Sequence, residues 1–388
     1  MPPSDGEAAL PSLEPSLLAA LRARTGPDGF LPFDRFMEVA SYGAGVGYYQ
    51  RARSPFGPEG DFYTAPRVHP IFARTIAAHV AELRRALGGP EPFSLVDLGS
   101  GDGTLLSGIA RALGDRGAAD GVTCVAVDRA PARRSASLEA VAPVARAVGA
   151  RATSAASIAE VGPVRGVVLA NELLDAQPAR RLRWNGSAWA ELGFRLDDRR
   201  LVPAEAAVAS PWPPPPLPAL GAEDAGLVLD VSPTAEAIIR EVADHLERGR
   251  FVILDFGAEE RELLSAHPRG TVAAVRDHRP LADPASAPGE VDLSAFVDFT
   301  RIRSAAASAG LSEVAYLTQA EALGAWGFPQ ELERAVHESR TSEEEVRVRL
   351  AAKNLLFGFG TFRVLELAPP ASAEGRERPT GASPAAPS

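Results

Sequence analysis

The sequence predicts an α/β protein, built on a mostly parallel sheet covered by helices on both faces and carrying an antiparallel insertion. Three observations predict it. Apolar strand-like runs alternate with amphipathic helical stretches over residues 91–178 and 231–367. One run, "FSLVDLGSGDGTLLSGIARAL", passes from strand through a glycine turn into a helix. The interval 179–230 breaks the pattern with polar–apolar alternation and two turn signals.

Taken in order, residues 1–15 are rich in Pro, Ala and acids without periodicity, and read as a disordered end; 368–388 read the same way. Residues 16–90 form an N-terminal cap region. In "LPFDRFMEVASYG", Asp34 is placed to cap a short helix carrying Phe36, Met37 and Val39. A Gly/Tyr-rich loop follows. In "HPIFARTIAAHVAELRRAL", Ile71, Phe72, Ile76, Val80 and Leu83 then recur at helical spacing. Strands are expected at "VTCVAVD" (Val122 to Asp128), in "RGVVLANELLD" from Arg165, and at "GRFVILDFG" (Gly249 to Gly257), the last after a helix in "SPTAEAIIREVADHLERG". Within the insertion, "RRLRWNGSAWAELGFRLDDRRLV" reads as a meander turning at Asn185-Gly186 and Asp197-Asp198. "PWPPPPLP", from Pro211, reads as a stiff connector. "FGFGTFRVLEL" is expected to be a final core strand whose aromatics mostly pack inside.

Composition narrows the functional classes. Across 388 residues, 46% apolar and 23% charged side chains suit a globular core. A net charge of −10 argues against a surface that neutralises nucleic-acid phosphates. The single cysteine, Cys124, excludes an intrachain disulfide and a cysteine-cluster metal site, and its apolar surroundings predict a buried thiol. No run of about eighteen apolar residues is present, so no membrane span is expected. The N-terminus lacks signal- and transit-peptide features, so a cytoplasmic protein is expected. His69, His79, His245, His267 and His337 show no metal-ligand spacing, and no metal is expected. His278, in "VRDHRPLADP", is the one histidine placed to act as a base, against the plainer reading of a solvated loop residue.

Two constellations carry chemistry. In "LVDLGSGDG", Asp97 closes a strand ahead of Gly99, Ser100, Gly101 and Gly103. Dinucleotide enzymes favour Gly-x-Gly-x-x-Gly facing a pyrophosphate. Here the spacing is Gly-x-Gly-x-Gly behind an acid, which suits the cationic S-adenosylmethionine. Asp128, closing the next strand, is placed to accept ribose hydroxyls. In "ANELLDAQP", Asn171, Glu172 and Asp175 crowd the end of another strand, where this fold class meets its acceptor. The competing structural reading is that Glu172 or Asp175 merely caps a following helix.

With those motifs in hand, the chain resembles the MidA-like methyltransferases, a family that includes a mitochondrial protein-arginine methyltransferase. The resemblance covers residues 30–367. It rests on "GYY" (Gly47 to Tyr49), "FGPEGDFYTAP" (Phe56 to Pro66), "LVDLGSGDGTL", "ANELLDAQP", "VSPTAEAII", "LDFG" (Leu254 to Gly257) and "APGEVDLSAFVDFT" (Ala287 to Thr300). It implies a Rossmann-like class I methyltransferase fold with a seven-stranded sheet, using S-adenosyl-L-methionine. It also implies that Gly60, Asp61 and Thr64 lie near the cofactor, together with Thr104 and Asn171. The family more often has Glu, Pro and Arg in place of Asp97, Ser100 and Asp102, Tyr in place of Phe256 and His in place of Phe296. The leading expectation is methyl transfer to an arginine on a partner protein, with Glu172 and Asp175 gripping the guanidinium from one face of a helical turn. A small-molecule O- or N-methyltransferase and a non-catalytic assembly factor are the alternatives.

Overall fold

The computed structural model describes residues 12–50, 65–89, 92–208, 220–276 and 279–370. Seven strands, numbered in chain order, form the central sheet: β1 (Phe93–Leu98), β2 (Val122–Val127), β3 (Arg151–Ala155), β4 (Val164–Asn171), β5 (Leu246–Ala258), β6 (Ser312–Thr318) and β7 (Phe362–Ala368). Their spatial order is β6-β7-β5-β4-β1-β2-β3. Strands β1 to β5 pair in parallel, while β7 runs antiparallel to both β5 and β6. The expected seven-stranded, mostly parallel sheet is therefore present. A two-residue strand, Val297–Asp298, adds parallel pairing at the end of β5.

Side-chain alternation along the strands sorts the core into two faces. Leu95, Cys124, Val167 and Val252 point to a face covered by helices Ile71–Ala86 and Thr104–Asp115. Val96, Val125, Val168 and Ile253 point to the other, covered by Pro233–His245 and Phe299–Ser308. Strands buried on both faces must be apolar throughout, and β2, "VTCVAV", obeys. The edge strand β3, "RATSA", is partly exposed and reads polar. Ser232 starts the Pro233–His245 helix by accepting the Ala235 N–H at 3.1 Å. Cys124 is fully buried, and burial pushes its thiol up to about 12, so it is an inert core side chain.

Arg180–Trp184, Trp189–Asp197 and Arg200–Ala207 form the antiparallel meander. Asn185 Oδ1 accepts the amides of Ser187 and Ala188 at the first turn, and Asp198 takes φ +50 at the second. The meander does not stand alone. Strand Phe30–Pro32 pairs along its middle strand, Leu31 opposite Phe194. Leu21, Phe36 and Met37 then share one core with Phe194, Leu201 and Leu293. By contrast, the Ile71–Ala86 helix packs into the main α/β core. The described residues of 16–90 thus serve two separate cores.

Several expectations are corrected. Helix Phe33–Tyr42 follows Pro32, and Asp34 lies inside its first turn accepting the Arg35 N–H, so Asp34 is not its cap. Leu13, placed in a disordered end, is buried and donates its N–H to the Arg199 carbonyl at 2.8 Å. Phe357 is 73% exposed on the turn Asn354–Gly358, so this aromatic does not pack inside. The small sheet of Ala273–Arg276, Arg279–Leu281 and Asp292–Ser294 had no sequence signal. The proline-rich run, Gly60, Asp61, Thr64 and His278 lie outside the described residues. No helix among the described residues is long and apolar enough to cross a membrane.

Candidate active site

Strand order reverses between β1 and β4, and a crevice opens there beyond the carboxyl ends of the strands. Two glycines shape it. Gly99 has φ +72, and a Cβ on it would lie 2.8 Å from Leu173 Cδ1. Gly103, φ +77, starts helix Thr104–Asp115, and its Cβ would meet the Ser137 carbonyl oxygen at 2.8 Å. Only glycine fits either place without movement. A cleft of about 320 Å3 results, with Gly99, Gly101, Asp128, Ser157, Glu172 and Asp175 on its walls. A side cavity of about 70 Å3 shares Gly99, Gly101 and Glu172 and adds Asp97, Thr104 and Asn171.

Two acids stand at the strand ends around the glycine loop. Asp97 is 3% exposed, and its carboxyl is pushed up to about 7, first by burial and then by the charges of Asp128 and Asp102. Asp128 accepts the Ala130 N–H at 2.8 Å, and burial raises its carboxyl as well. Ser100 is buried, and its Oγ finds no partner among the described residues. Thr104 is exposed and turns its amide onto Asp102 Oδ1 at 3.0 Å.

At the other end, the chain leaves β4 through Asn171 into a loop, and the expected helical turn does not form. Glu172 adopts φ +52 and donates its N–H to the Leu254 carbonyl at 2.9 Å. The next three amides, those of Leu173, Leu174 and Asp175, converge on Asp255 Oδ2 at 3.1, 2.7 and 3.4 Å. One carboxylate from β5 thereby satisfies three backbone donors that no local structure takes up. The capping role weighed for Glu172 and Asp175 falls away, because no helix follows. Glu172 Oε1 accepts from Asn171 Nδ2 and from the Ala65 amide, both at 3.2 Å.

Asp175 is 5% exposed, and its Oδ1 has no partner among the described residues although the residue lines the cleft. Burial, followed by Asp255, Glu172 and Asp292, holds its carboxyl well above the usual range. Burial likewise pushes Glu172 and Asp255 up to about 7. Asp292 is itself buried and accepts the Tyr49 hydroxyl at 2.6 Å. Tyr49 stacks on Tyr42 with ring centroids 5.1 Å apart, and the Tyr42 hydroxyl donates to the Ala176 carbonyl at 2.8 Å. The Arg129 guanidinium lies 3.3 Å above the Tyr42 ring, which ties this aromatic pair to the neighbour of Asp128.

The sequence-nominated residues within the described chain thus gather around one cleft and its side cavity. Tyr42, Tyr49, Asp255 and Asp292 join them without having been nominated. Three of the four do sit in quoted motifs, "GYY", "LDFG" and "GEVDL", whose acids and aromatics could have been treated as candidates. Phe296 packs edge-on against Phe256 at 5.0 Å and against His267 at 4.9 Å, an apolar wall beyond Asp255.

Comparison with known proteins fits this geometry. A family profile described as "Putative S-adenosyl-L-methionine-dependent methyltransferase" matches residues 75–317. The Drosophila melanogaster "Protein arginine methyltransferase NDUFAF7 homolog, mitochondrial" is 28% identical over 323 residues, covering 76% of this chain and 71% of that protein. The Homo sapiens protein arginine methyltransferase NDUFAF7 is 24% identical over 300 residues, covering 72% of this chain and 65% of that protein. A Burkholderia thailandensis crystal structure bound to S-adenosyl-homocysteine aligns with a TM-score of 0.80 and 29% identity, covering 93% of this chain and 95% of that one.

Proposed function

The chain belongs to this family of S-adenosyl-L-methionine-dependent methyltransferases, and from that premise we propose that its acceptor is an arginine side chain on a partner protein. The observation that carries the reading is the carboxylate group at the cleft end. Glu172 and Asp175 line the cleft, Asp255 and Asp292 stand behind them, and burial raises the first three, joined at Glu172 and Asp175 by repulsion from neighbouring acids. Acids packed this way disfavour their own charge and gain from an incoming cation. A guanidinium is charged at every physiological pH and offers paired planar donors that match carboxylates. The printed names of the relatives point the same way.

The side chains present fit the methyl donor. Asp128 is placed for ribose hydroxyls, Asp97 for an ammonium group, and Gly99 and Gly103 leave room that a Cβ would take. S-adenosyl-L-methionine supplies an electrophilic methyl group on a sulfonium sulfur. With the donor bound, Glu172 and Asp175 would hold the guanidinium and orient the nitrogen that receives the methyl group. Positioning of this kind supplies about 7–11 kcal/mol of barrier reduction. Methylating a guanidinium nitrogen releases one proton. Glu172, with its carboxyl near 7, takes it and returns it to solvent. Asp255 works at one remove, by fixing the loop from which Glu172 and Asp175 project.

Incubation with methyl-labelled S-adenosyl-L-methionine and cell extract tests the reading. Label recovered as methylarginine after hydrolysis of a protein band is the expected result. Label confined to the small-molecule fraction overturns it in favour of a small acceptor.

A further inference from the structure

Arg67 is the one basic residue on the described walls of the side cavity, where it stands among Asp97, Asp102 and Glu172. It projects from the short helix Ala65–Val68, which is moored to the site through the Ala65 amide on Glu172 Oε1. Its guanidinium pairs with the Asp102 carboxylate, whose other oxygen accepts the Thr104 amide. Both partners are partly exposed, with 26% and 35% of their side-chain surfaces open. The pair is therefore neither sealed in the core nor out in bulk solvent, and a ligand entering the cavity reaches it.

The methyl donor's amino-acid end carries an ammonium and a carboxylate together. Asp97 suits the ammonium, but Asp97, Asp102 and Glu172 all repel the carboxylate, so the cavity needs a cation to accept it. Arg67 meets that need with the planar donor geometry that carboxylates favour. We propose that Arg67 binds the donor's carboxylate, and that Asp102 holds Arg67 as an intramolecular competitor which the donor displaces. Asp102 is then a stand-in for ligand, and removing its charge frees Arg67 instead of disabling the site.

The two substitutions should act in opposite directions, which general unfolding cannot imitate. Titration calorimetry is run with S-adenosyl-homocysteine and with 5′-methylthioadenosine, which lacks the amino-acid end. Arg67→Ala should weaken S-adenosyl-homocysteine by about tenfold or more, the worth of a charged hydrogen bond, and leave 5′-methylthioadenosine unchanged. Asp102→Asn, which keeps an oxygen for the Thr104 amide, should tighten S-adenosyl-homocysteine severalfold. The proposal is overturned if Arg67→Ala binds S-adenosyl-homocysteine as the unaltered protein does, if it loses both ligands equally, or if Asp102→Asn weakens binding. These readouts involve no acceptor, so they stand or fall apart from the arginine-methylation reading.

Discussion

At the end of the cleft proposed for the methyl donor, Asp97, Gly99, Gly101 and Gly103 lie within one strand-turn-helix unit, and Asp128 closes the strand beside it. At the end proposed for the acceptor, Tyr42 and Tyr49, the loop 172–175, Asp255 and Asp292 come from four separate stretches. Hydrogen bonds spanning 82 and 243 residues of chain join them. The glycine unit of the donor end is a local motif, although Arg67 and Glu172 reach its side cavity from elsewhere in the chain. The acceptor end exists only when distant segments have met, and burial, with neighbouring acids at Glu172 and Asp175, holds its carboxyls above their usual range. Local construction fits a ligand common to a whole fold. Distributed construction lets the acceptor vary without touching the donor.

The largest expected effect tests whether the two ends separate at all. Glu172→Gln should lower turnover by about 10²–10⁴-fold through loss of the proton acceptor and guanidinium contact. Its affinity for S-adenosyl-homocysteine should not fall, since at the side cavity Glu172 offers the donor's carboxylate only a repelling charge and glutamine keeps an oxygen for the Ala65 amide. Single-turnover assay and calorimetry on the same preparation decide this, and a parallel loss of donor affinity would merge the two ends into one unit.

Next in size is Asp255→Ala, which strips the acceptor loop of the oxygen shared by three amides. Each buried donor left unpartnered costs about 1–3 kcal/mol, partly offset by removal of a buried charge. A net loss of about 3 kcal/mol in denaturant unfolding is expected, with Asp255→Asn recovering most of it by keeping an acceptor oxygen. Equal stability of the alanine variant and the unaltered protein would remove Asp255 as organiser of the loop.

The smallest effect is a pH slope. Asp97 and Glu172 each titrate near 7 in the folded protein, above the unfolded values of about 4. The folded state therefore binds those protons more tightly. The stability each contributes is complete below about pH 4 and is lost as pH rises through about 7. Asp97→Asn should flatten the decline between pH 5 and 7 by up to about 1.4 kcal/mol per pH unit. Saturating S-adenosyl-homocysteine should do the same for the Asp97 part, since an ammonium stabilises that carboxylate, and leave the Glu172 part in place. A slope indifferent to both treatments would detach Asp97 from the donor.

Legibility in the sequence follows the same division. The glycine turn, the strand-end acids and the alternation of strands and helices are written in neighbouring residues, so "LVDLGSGDG" and "VTCVAVD" announce their geometry. Strands β1, β2, β4 and β5 are readable because strands buried on both faces are apolar throughout, whereas the polar edge strand β3 is not. The loop after Asn171 was misread as a helical turn, because the group that organises it, Asp255, lies in another strand and leaves no mark at residues 172–175. Tyr49 and Asp292 stand in the motifs "GYY" and "APGEVDL", but nothing local in either motif says that the fold brings them to 2.6 Å. The pairing of Phe30–Pro32 with the meander was invisible for the same reason.

That pairing also bears on how the chain is made. Leu31 meets Phe194 only after about 160 further residues have been synthesised. At about 5–20 residues per second, the helix Phe33–Tyr42 waits on the order of 10 s for its partners. Phe36 and Met37, with no exposed surface in the finished protein, are bare on the nascent chain throughout that time. Helix Phe33–Tyr42 is thus made well before the strands and loops whose side chains shelter it.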